Sequence, residues 1–212
     1  MCGLKIDHIG DDGGMRARDW DRRWEERALE PRREPSAVVA HALEGRTPGR
    51  ALDLGCGSGR HAVWLAEQWW QVTAVDFSSE ALRQARERAE ASGVEVGWVE
   101  ADVVAYEPEP AAFDLVLVAY IHLPGDERRL LLAHASSAVA PGGTFVLVGH
   151  DSTNVGTGAP GPSSPAVLYT PDDIVGDLAG LTIERAEQVT RPVELEDGTR
   201  VEAVDALVIA RR

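Results

Sequence analysis

Three glycines stand within five residues of this chain, directly behind a short apolar run. The segment RALDLGCGSGRH, residues 50–61, places Gly55, Gly57 and Gly59 between a predicted strand and a predicted helix, with Asp53 just ahead of them. Glycine costs backbone entropy wherever it stands, so such a cluster indicates a sharp turn and a close approach to the backbone. Because the helix that follows presents unpaired N–H groups at its N-terminus, the segment predicts a ligand-binding loop.

Strands and helices alternate from this loop onward. Strand-like segments lie at residues 50–55, 71–76, 94–102, 113–120 and 142–150, and helical segments at 60–70, 78–93 and 126–140 separate them. This alternation predicts βαβ units around a parallel sheet, and the unbroken apolar run after Asp114 predicts a central strand. In such sheets, ligands bind outside the carboxyl ends of the strands.

The two ends of the chain follow other patterns. We expect a flexible leader over residues 1–15 and a single domain over 16–212, with an N-terminal helical cap at 16–45 in which Trp20 and Trp24 share one face. Residues 151–169 are rich in Gly, Pro and Ser, which predicts a long loop that is either a lid or disordered. A short helix capped by Thr170 and an antiparallel pair of strands at the sheet edge complete the prediction.

Composition excludes several partners. The formal net charge of −14 disfavours nucleic acid and anionic membrane surfaces. Two cysteines give no disulfide framework and no metal spacing, so we predict no metal site. No apolar run approaches the roughly 18 residues of a membrane span, and the chain start lacks the pattern of a signal peptide. We therefore expect a cytoplasmic protein; the sequence leaves its oligomeric state open.

The spacing of the glycines in the loop restricts the kind of ligand that it could bind. A dinucleotide loop has G-x-G-x-x-G, but Arg60 stands where its third glycine would be. A nucleotide-phosphate loop needs a lysine, and Lys5 is the only lysine in the chain. An acidic residue beside the glycines instead suits a ligand that carries an amine and a sulfonium.

Four motifs in order then resemble the class I S-adenosylmethionine-dependent methyltransferases. They are LDLGCGSGR with VTAVDFS, then VEADV, FDLVLVAYIHL and APGGTFVLVGH. The resemblance implies a Rossmann-like, seven-stranded, mostly parallel α/β sheet of order 3-2-1-4-5-7-6, with the last strand antiparallel and helices on both faces. The segment WDRRW and the compact core are most similar to the tellurite-resistance and thiopurine methyltransferase branch of small-molecule enzymes.

The resemblance also implies a cofactor and its binding residues. S-adenosylmethionine would lie with its methionine part along the glycines, its ribose on Asp76, and its adenine near Phe77, Asp102 and the N–H of Val103. The implied cofactor-binding set is Asp53, Gly55, Cys56, Gly57, Gly59, Asp76, Phe77, Asp102, Val103 and Ala119. Simpler roles compete with this assignment, because an acid before a helix can cap it and acids after strands often form turns. Cys56 has no base beside it in the sequence, so we interpret it as a small loop residue.

Three residues near the predicted strand ends are the catalytic candidates. Tyr120 and His122 follow the fourth strand, and His150 ends the fifth, so all three should face one crevice. A histidine can act as a general base near neutral pH. The competing interpretation of His122 is a loop histidine bonded to backbone.

These observations predict methyl transfer from S-adenosylmethionine to a small-molecule acceptor, such as a thiol, a chalcogen oxyanion or another small nucleophile. The alternatives are a non-catalytic S-adenosylmethionine-binding protein, a methyltransferase acting on a protein, and a nicotinamide dehydrogenase, against which the missing third glycine argues. One departure stands out: relatives commonly carry glycine where this chain has Trp69, at the end of the helix after the loop.

Overall fold

A computed structural model describes residues 21–22, 24–25, 34–195 and 197–212. The predicted leader at 1–15 and Trp20 lie outside the described residues. Among the described residues, five helices have defined bounds: α1 (Ala37–Ala42), α2 (Arg60–Glu67), α3 (Ser79–Ser92), α4 (Gly125–Ala138) and α5 (Pro171–Asp177). Seven strands are defined: β1 (Arg50–Leu54), β2 (Gln71–Asp76), β3 (Gly97–Glu100), β4 (Phe113–Ala119), β5 (Val139–His150), β6 (Thr182–Glu194) and β7 (Arg200–Arg211).

One sheet contains all seven strands, in the order β3-β2-β1-β4-β5-β7-β6. Strands β1 to β5 pair in parallel, whereas β7 runs antiparallel to both β5 and β6. This confirms the predicted order and places β7 inside the sheet, with β6 at the edge. The β1–β4 pair is central, so the loops after β1 and β4 meet at the carboxyl edge where ligands bind in such sheets.

The core lies on both faces of the sheet, which explains why the central strands lack a polar face. On one face, Leu115 and Leu117 pack among side chains of α1, α2 and α3. On the other, Val116 and Val118 pack among side chains of α4 and α5. The alternation of neighbouring residues between the two clusters follows from the two-residue period of a strand.

Helix ends follow the capping chemistry in two places and depart from it in a third. Ser78 caps α3 by accepting from the Ala81 N–H, and Thr170 forms a capping box with Asp173 at α5. Ser36 stands at the predicted N-cap of α1 but makes no capping bond. Its hydroxyl is instead 3.0 Å from the hydroxyl of Tyr120, so the cap position is used for a tertiary contact.

Helix α2 ends earlier than its apolar pattern predicts. It stops at Glu67, and Trp69 follows with φ +70°, a left-handed conformation that favours glycine. The Trp69 N–H bonds to the Ala66 carbonyl and the Trp70 N–H to the Leu65 carbonyl, which is the Schellman pattern with tryptophan in the glycine position. The Trp69 side chain is 87% exposed.

The segment between β5 and α5 is irregular apart from one 3₁₀ turn, Ser152–Asn154. Its ends are held together by a bridge between Asp151 and Tyr169. Tyr169 is buried and donates its hydroxyl to the carbonyl of Ile121, which ties this segment to the loop after β4. In the part of the chain that the structure describes, no helix is long and apolar enough to cross a membrane.

Candidate functional site

The glycine loop joins β1 to α2 and folds against the end of β2. Gly55, Gly57 and Gly59 have φ values of +70°, +52° and +77°, so each adopts a conformation that side chains disfavour. The N–H groups of Gly55 and Cys56 both donate to the carbonyl of Val75. The glycines are therefore required first by the backbone path of the turn.

Protein side chains, as well as any ligand, use the space beside these glycines. A Cβ added to Gly57 would lie 2.9 Å from the indole of Trp24, and one added to Gly59 would lie 2.9 Å from Ala85 on α3. Gly59 therefore lets α3 pack against the start of α2, a role that the sequence does not predict.

Asp53 is buried beneath this loop. Its exposed fraction is 1%, and neither carboxylate oxygen makes a hydrogen bond of normal geometry with the residues that the structure describes. Burial raises the pKa of Asp53 to about 7, and the nearby Asp76 adds to the rise, whereas the Arg60 charge and the Ala62 N–H oppose it. A buried carboxylate without well-formed hydrogen bonds is costly to the fold, and a cationic ligand would offset that cost.

Asp76 ends β2 and connects two loops. One carboxylate oxygen accepts from the Gly57 N–H at 2.8 Å and the other from the Ser78 N–H at 2.9 Å. Burial raises the pKa of Asp76, and these two hydrogen bonds limit the rise. Each oxygen keeps a second lone pair, so the side chain retains acceptors for ligand hydroxyls.

The remaining predicted cofactor residues line the same edge. Phe77 is half-buried after β2, and Ala119 is the buried last residue of β4. Asp102 accepts from the Val104 N–H at 2.9 Å, so it forms the turn that the competing interpretation describes. Val103 packs its side chain into the core.

Cys56 lies inside the loop and is buried. Burial raises the pKa of its thiol well above the usual range, and the neighbouring Asp53 and Asp76 raise it further. The thiol is therefore poorly suited to act as a nucleophile, which agrees with its interpretation as a small loop residue.

A described part of the N-terminal region crosses this loop. Asp21, Arg22, Trp24 and Glu25 are helical. The Asp21 carboxylate accepts from the Ser78 hydroxyl at 2.6 Å, and the Trp24 carbonyl accepts from the Gln84 side chain at 2.8 Å. Together with the indole over Gly57, these contacts fix this segment across the mouth of the loop.

Tyr120 follows β4 and connects the loop to a second polar cluster. Its φ is +59°, a strained value for tyrosine, and its ring lies 5.1 Å from the Arg60 guanidinium. The hydroxyl donates to Asp205 at 2.8 Å, so the hydroxyl of Ser36 must donate to Tyr120. Burial raises the pKa of Tyr120, and the Asp205 charge adds to the rise.

The two candidate histidines stack on each other, with ring centroids 5.1 Å apart. The Nε2 atom of His122 accepts from the backbone N–H of His150 at 3.0 Å. Burial lowers the pKa of His122 to about 3, and His150 adds to the decrease. His122 is thus neutral with its Nε2 occupied, which argues against it as a general base and for a role in supporting His150.

Two residues in this cluster, Asp205 and Arg191, are not predicted from the sequence. Asp205, on β7, is fully buried and accepts from Tyr120 and from Arg191 Nε, the latter at 2.7 Å. Burial alone would raise the pKa of Asp205, but its contacts with His150, Arg191 and Tyr120 lower it. The one available signal is a single acid inside the otherwise apolar run VDALVIA.

The sequence and the fold have known relatives. Residues 51–143 match a family described as a methyltransferase domain. The chain is 35% identical over 130 residues to the demethylmenaquinone methyltransferase of Thermus thermophilus, covering 60% of this chain and 54% of that protein. It is 32% identical over 126 residues to the ribosomal RNA small subunit methyltransferase C of Alcanivorax borkumensis, covering 54% and 37% respectively. The chain thus spans about half or less of the length of these relatives.

Solved structures agree on the fold. A structure from work on the conversion of a disulfide bond into a thioacetal group during echinomycin biosynthesis has a TM-score of 0.74 at 24% identity, covering 92% of both chains. TehB from Haemophilus influenzae has a TM-score of 0.71 at 18% identity, covering 84% of this chain and 62% of that one. Residues 51–143, which include the glycine loop, are thus similar to a methyltransferase domain, and the seven-stranded fold as a whole is shared with these solved structures.

Proposed function

We propose that this protein transfers the methyl group of S-adenosylmethionine to a small-molecule acceptor, such as a thiol, a chalcogen oxyanion or another small nucleophile. The observation that supports the proposal is the buried carboxylate of Asp53 beneath the glycine loop, which makes no hydrogen bond of normal geometry with the described residues. A cofactor with an amine and a sulfonium would add positive charge beside this carboxylate.

The residues present fit the cofactor. Asp53 would hold its positive charge, and the backbone of the glycine loop would lie along its methionine part. Asp76 has free lone pairs for the ribose hydroxyls, with Phe77 beside it for the adenine. When bound, the cofactor supplies an activated methyl group, so the protein mainly has to align the acceptor and exclude water.

The acceptor side would be built by Tyr120 and His150. Both lie at the carboxyl edge of the sheet, and Tyr120 contacts Arg60, the first residue of α2. The proximity of this cluster to the glycine loop supports a direct in-line transfer. The similar TehB structure supports the tellurite-resistance branch only at the level of fold.

A protein acceptor is the second candidate function. The relatives include the release factor glutamine methyltransferase of Deinococcus radiodurans, 34% identical over 151 residues. The helical residues 21–22 and 24–25 lie across the mouth of the loop, which favours a small acceptor over a large one.

Calorimetric titration with S-adenosylmethionine and S-adenosylhomocysteine tests the proposal. We expect micromolar binding to the unaltered chain and a loss of roughly 2 kcal/mol, about 30-fold, in Asp76→Asn. Asp126→Asn is the matched control, because this exposed carboxylate lies on α4 and loses the same charge. Absence of binding to either compound in the unaltered chain contradicts the proposal.

An acceptor screen then separates the candidate functions. S-adenosylhomocysteine release is measured with thiols, with selenite and tellurite, and with small phenols and amines. Turnover on any of these supports the small-molecule assignment. Tight cofactor binding without turnover on the whole panel supports the non-catalytic alternative, and methylation of protein alone supports the second candidate.

A further inference from the structure

Asp205 and His150 lie side by side on the neighbouring strands β7 and β5. They are directly opposite in the antiparallel register of β5 and β7. The His150 Nδ1 atom lies 3.4 Å from Asp205 Oδ1, and the Asp205 side chain is fully buried whereas that of His150 is 15% exposed. The pair therefore has one member fully buried and one partly exposed.

The groups that face His150 come from three elements. They are Asp205 on β7, Arg191 on β6, and Tyr120 and His122 after β4. The partners of the two Asp205 oxygens differ. Oδ2 accepts from Tyr120 and from Arg191, whereas Oδ1 has no hydrogen bond of normal geometry among the described residues and only His150 Nδ1 near it.

This difference between the two Asp205 oxygens indicates which nitrogen of His150 carries the proton. An ionised, buried oxygen without a donor costs free energy, and a proton on Nδ1 satisfies Oδ1. The competing contact, Arg191 Nη2 at 3.4 Å from Nδ1, requires an unprotonated Nδ1 and leaves Oδ1 without a donor. Arg191 already donates its Nε proton to Asp205, so the first arrangement satisfies more of the cluster.

The other nitrogen of His150 differs from Nδ1 in its contacts. Nε2 has no hydrogen-bond partner within the described part of the chain. Gly161, from the loop after β5, packs against this edge, and a Cβ there would lie 2.8 Å from Cδ2 and 3.2 Å from Nε2. Glycine at this position therefore keeps a side chain off the nitrogen.

We propose that Asp205 is a positioning residue that holds His150 with its proton on Nδ1, so that Nε2 serves as the general base for the methyl acceptor. This inference rests on the proposed function. The proton of the acceptor moves to Nε2 of His150 as a lone pair on the nucleophilic atom of the acceptor forms a bond to the methyl carbon. At the same time the bond between the methyl carbon and sulfur breaks, and its electron pair stays on sulfur. The resulting imidazolium is stabilised by the adjacent carboxylate and then returns the proton to solvent.

The inference also restricts the chemical class of the methyl acceptor. A built base is needed for a nucleophile that carries its proton at neutral pH, such as a hydroxyl or a protonated amine. An oxyanion has no such proton to lose. Among small acceptors, the geometry therefore favours a phenol, an alcohol or an amine.

Nitrogen-15 NMR of the imidazole groups tests the assignment without cofactor or acceptor, so its outcome is independent of the proposed function. The His150 signals are identified by their loss in His150→Gln, and exposed His41 on α1 is the internal control. We expect the neutral ring to show the Nδ1–H tautomer. In Asp205→Asn the His150 signals should move towards a mixture of the two tautomers, because the carboxylate that accepts from Nδ1–H is lost.

A second variant should leave this tautomer in place. Arg191→Met removes the competing contact at Nδ1, so the His150 signals should stay those of the Nδ1–H tautomer. Thermal unfolding of each variant establishes that it is folded before the spectra are compared. An Nε2–H tautomer in the unaltered protein, or His150 signals that Asp205→Asn leaves unchanged, overturns the inference.

Discussion

Replacing Trp69 by glycine gives a sharp test of the helix-end geometry. Trp69 occupies the left-handed position of a Schellman motif with φ +70°, and its side chain is 87% exposed. The strain of a side chain in this conformation is about 1–2 kcal/mol. Glycine removes the strain but gives the unfolded chain more freedom, which costs about 0.4–1 kcal/mol.

Trp69→Ala is the control that isolates this effect. Alanine keeps a Cβ and therefore the strain, while it loses the same indole contacts as glycine does. The small buried part of the indole contributes less than about 1 kcal/mol, and this term cancels between the two variants. We expect the glycine variant to be more stable than the alanine variant by about 0.5–1 kcal/mol.

Urea unfolding followed by circular dichroism measures the difference. For a chain of this length, a gain of about 0.5–1 kcal/mol raises the midpoint of thermal unfolding by about 1–4 °C. The Trp70→Ala variant gives the contrasting case, because Trp70 is a core residue and its truncation should cost about 3 kcal/mol or more. If Trp69→Gly is no more stable than Trp69→Ala, the left-handed assignment at residue 69 is wrong.

Three further outcomes follow from buried groups. The pKa of Asp53 is raised to about 7, so the unfolded chain loses this proton near pH 4 and the folded chain near pH 7. The free energy of unfolding should therefore fall as pH rises between these values, and Asp53→Asn should flatten this dependence in urea unfolding at pH 5 and pH 8. A methyl group at Gly149 would overlap the Tyr169 hydroxyl, so Gly149→Ala should destabilise the fold by about 2 kcal/mol, and adding Tyr169→Phe should recover part of the loss. Gly161→Ala should shift the imidazole signals of His150, whereas Gly158→Ala, which meets no atom within 4 Å, should leave them in place.

Local sequence patterns predict most of the helices and strands of the fold. The alternating strands and helices, the central position of β4 and the capping role of Thr170 follow from periodicity and turn chemistry, which act over a few residues. The sheet order came from the resemblance to a family. The structure corrected the extent of α2, since the left-handed turn at Trp69 ends the helix where the apolar pattern continues.

The candidate site likewise has one part that the sequence predicts and another that only the tertiary structure shows. Its glycine loop and Asp76 can be found from sequence, because their spacing is tied to one turn between neighbouring elements. The pairing of Asp205 with His150 cannot, because those residues are 55 positions apart and meet only through the register of β5 and β7.

What the sequence by itself determined is the chemistry of the loop: positive-φ glycines, an acid before them and an acid ending the next strand. Only the tertiary structure decided which side chains face one another. It buried Asp53 without well-formed hydrogen bonds to the described residues, occupied the Nε2 of His122 with a backbone N–H, and left the Nε2 of His150 without a hydrogen-bond partner among them. Burial and hydrogen-bond partners are set by contacts between distant segments, and these contacts decide which ionisable group is available for chemistry.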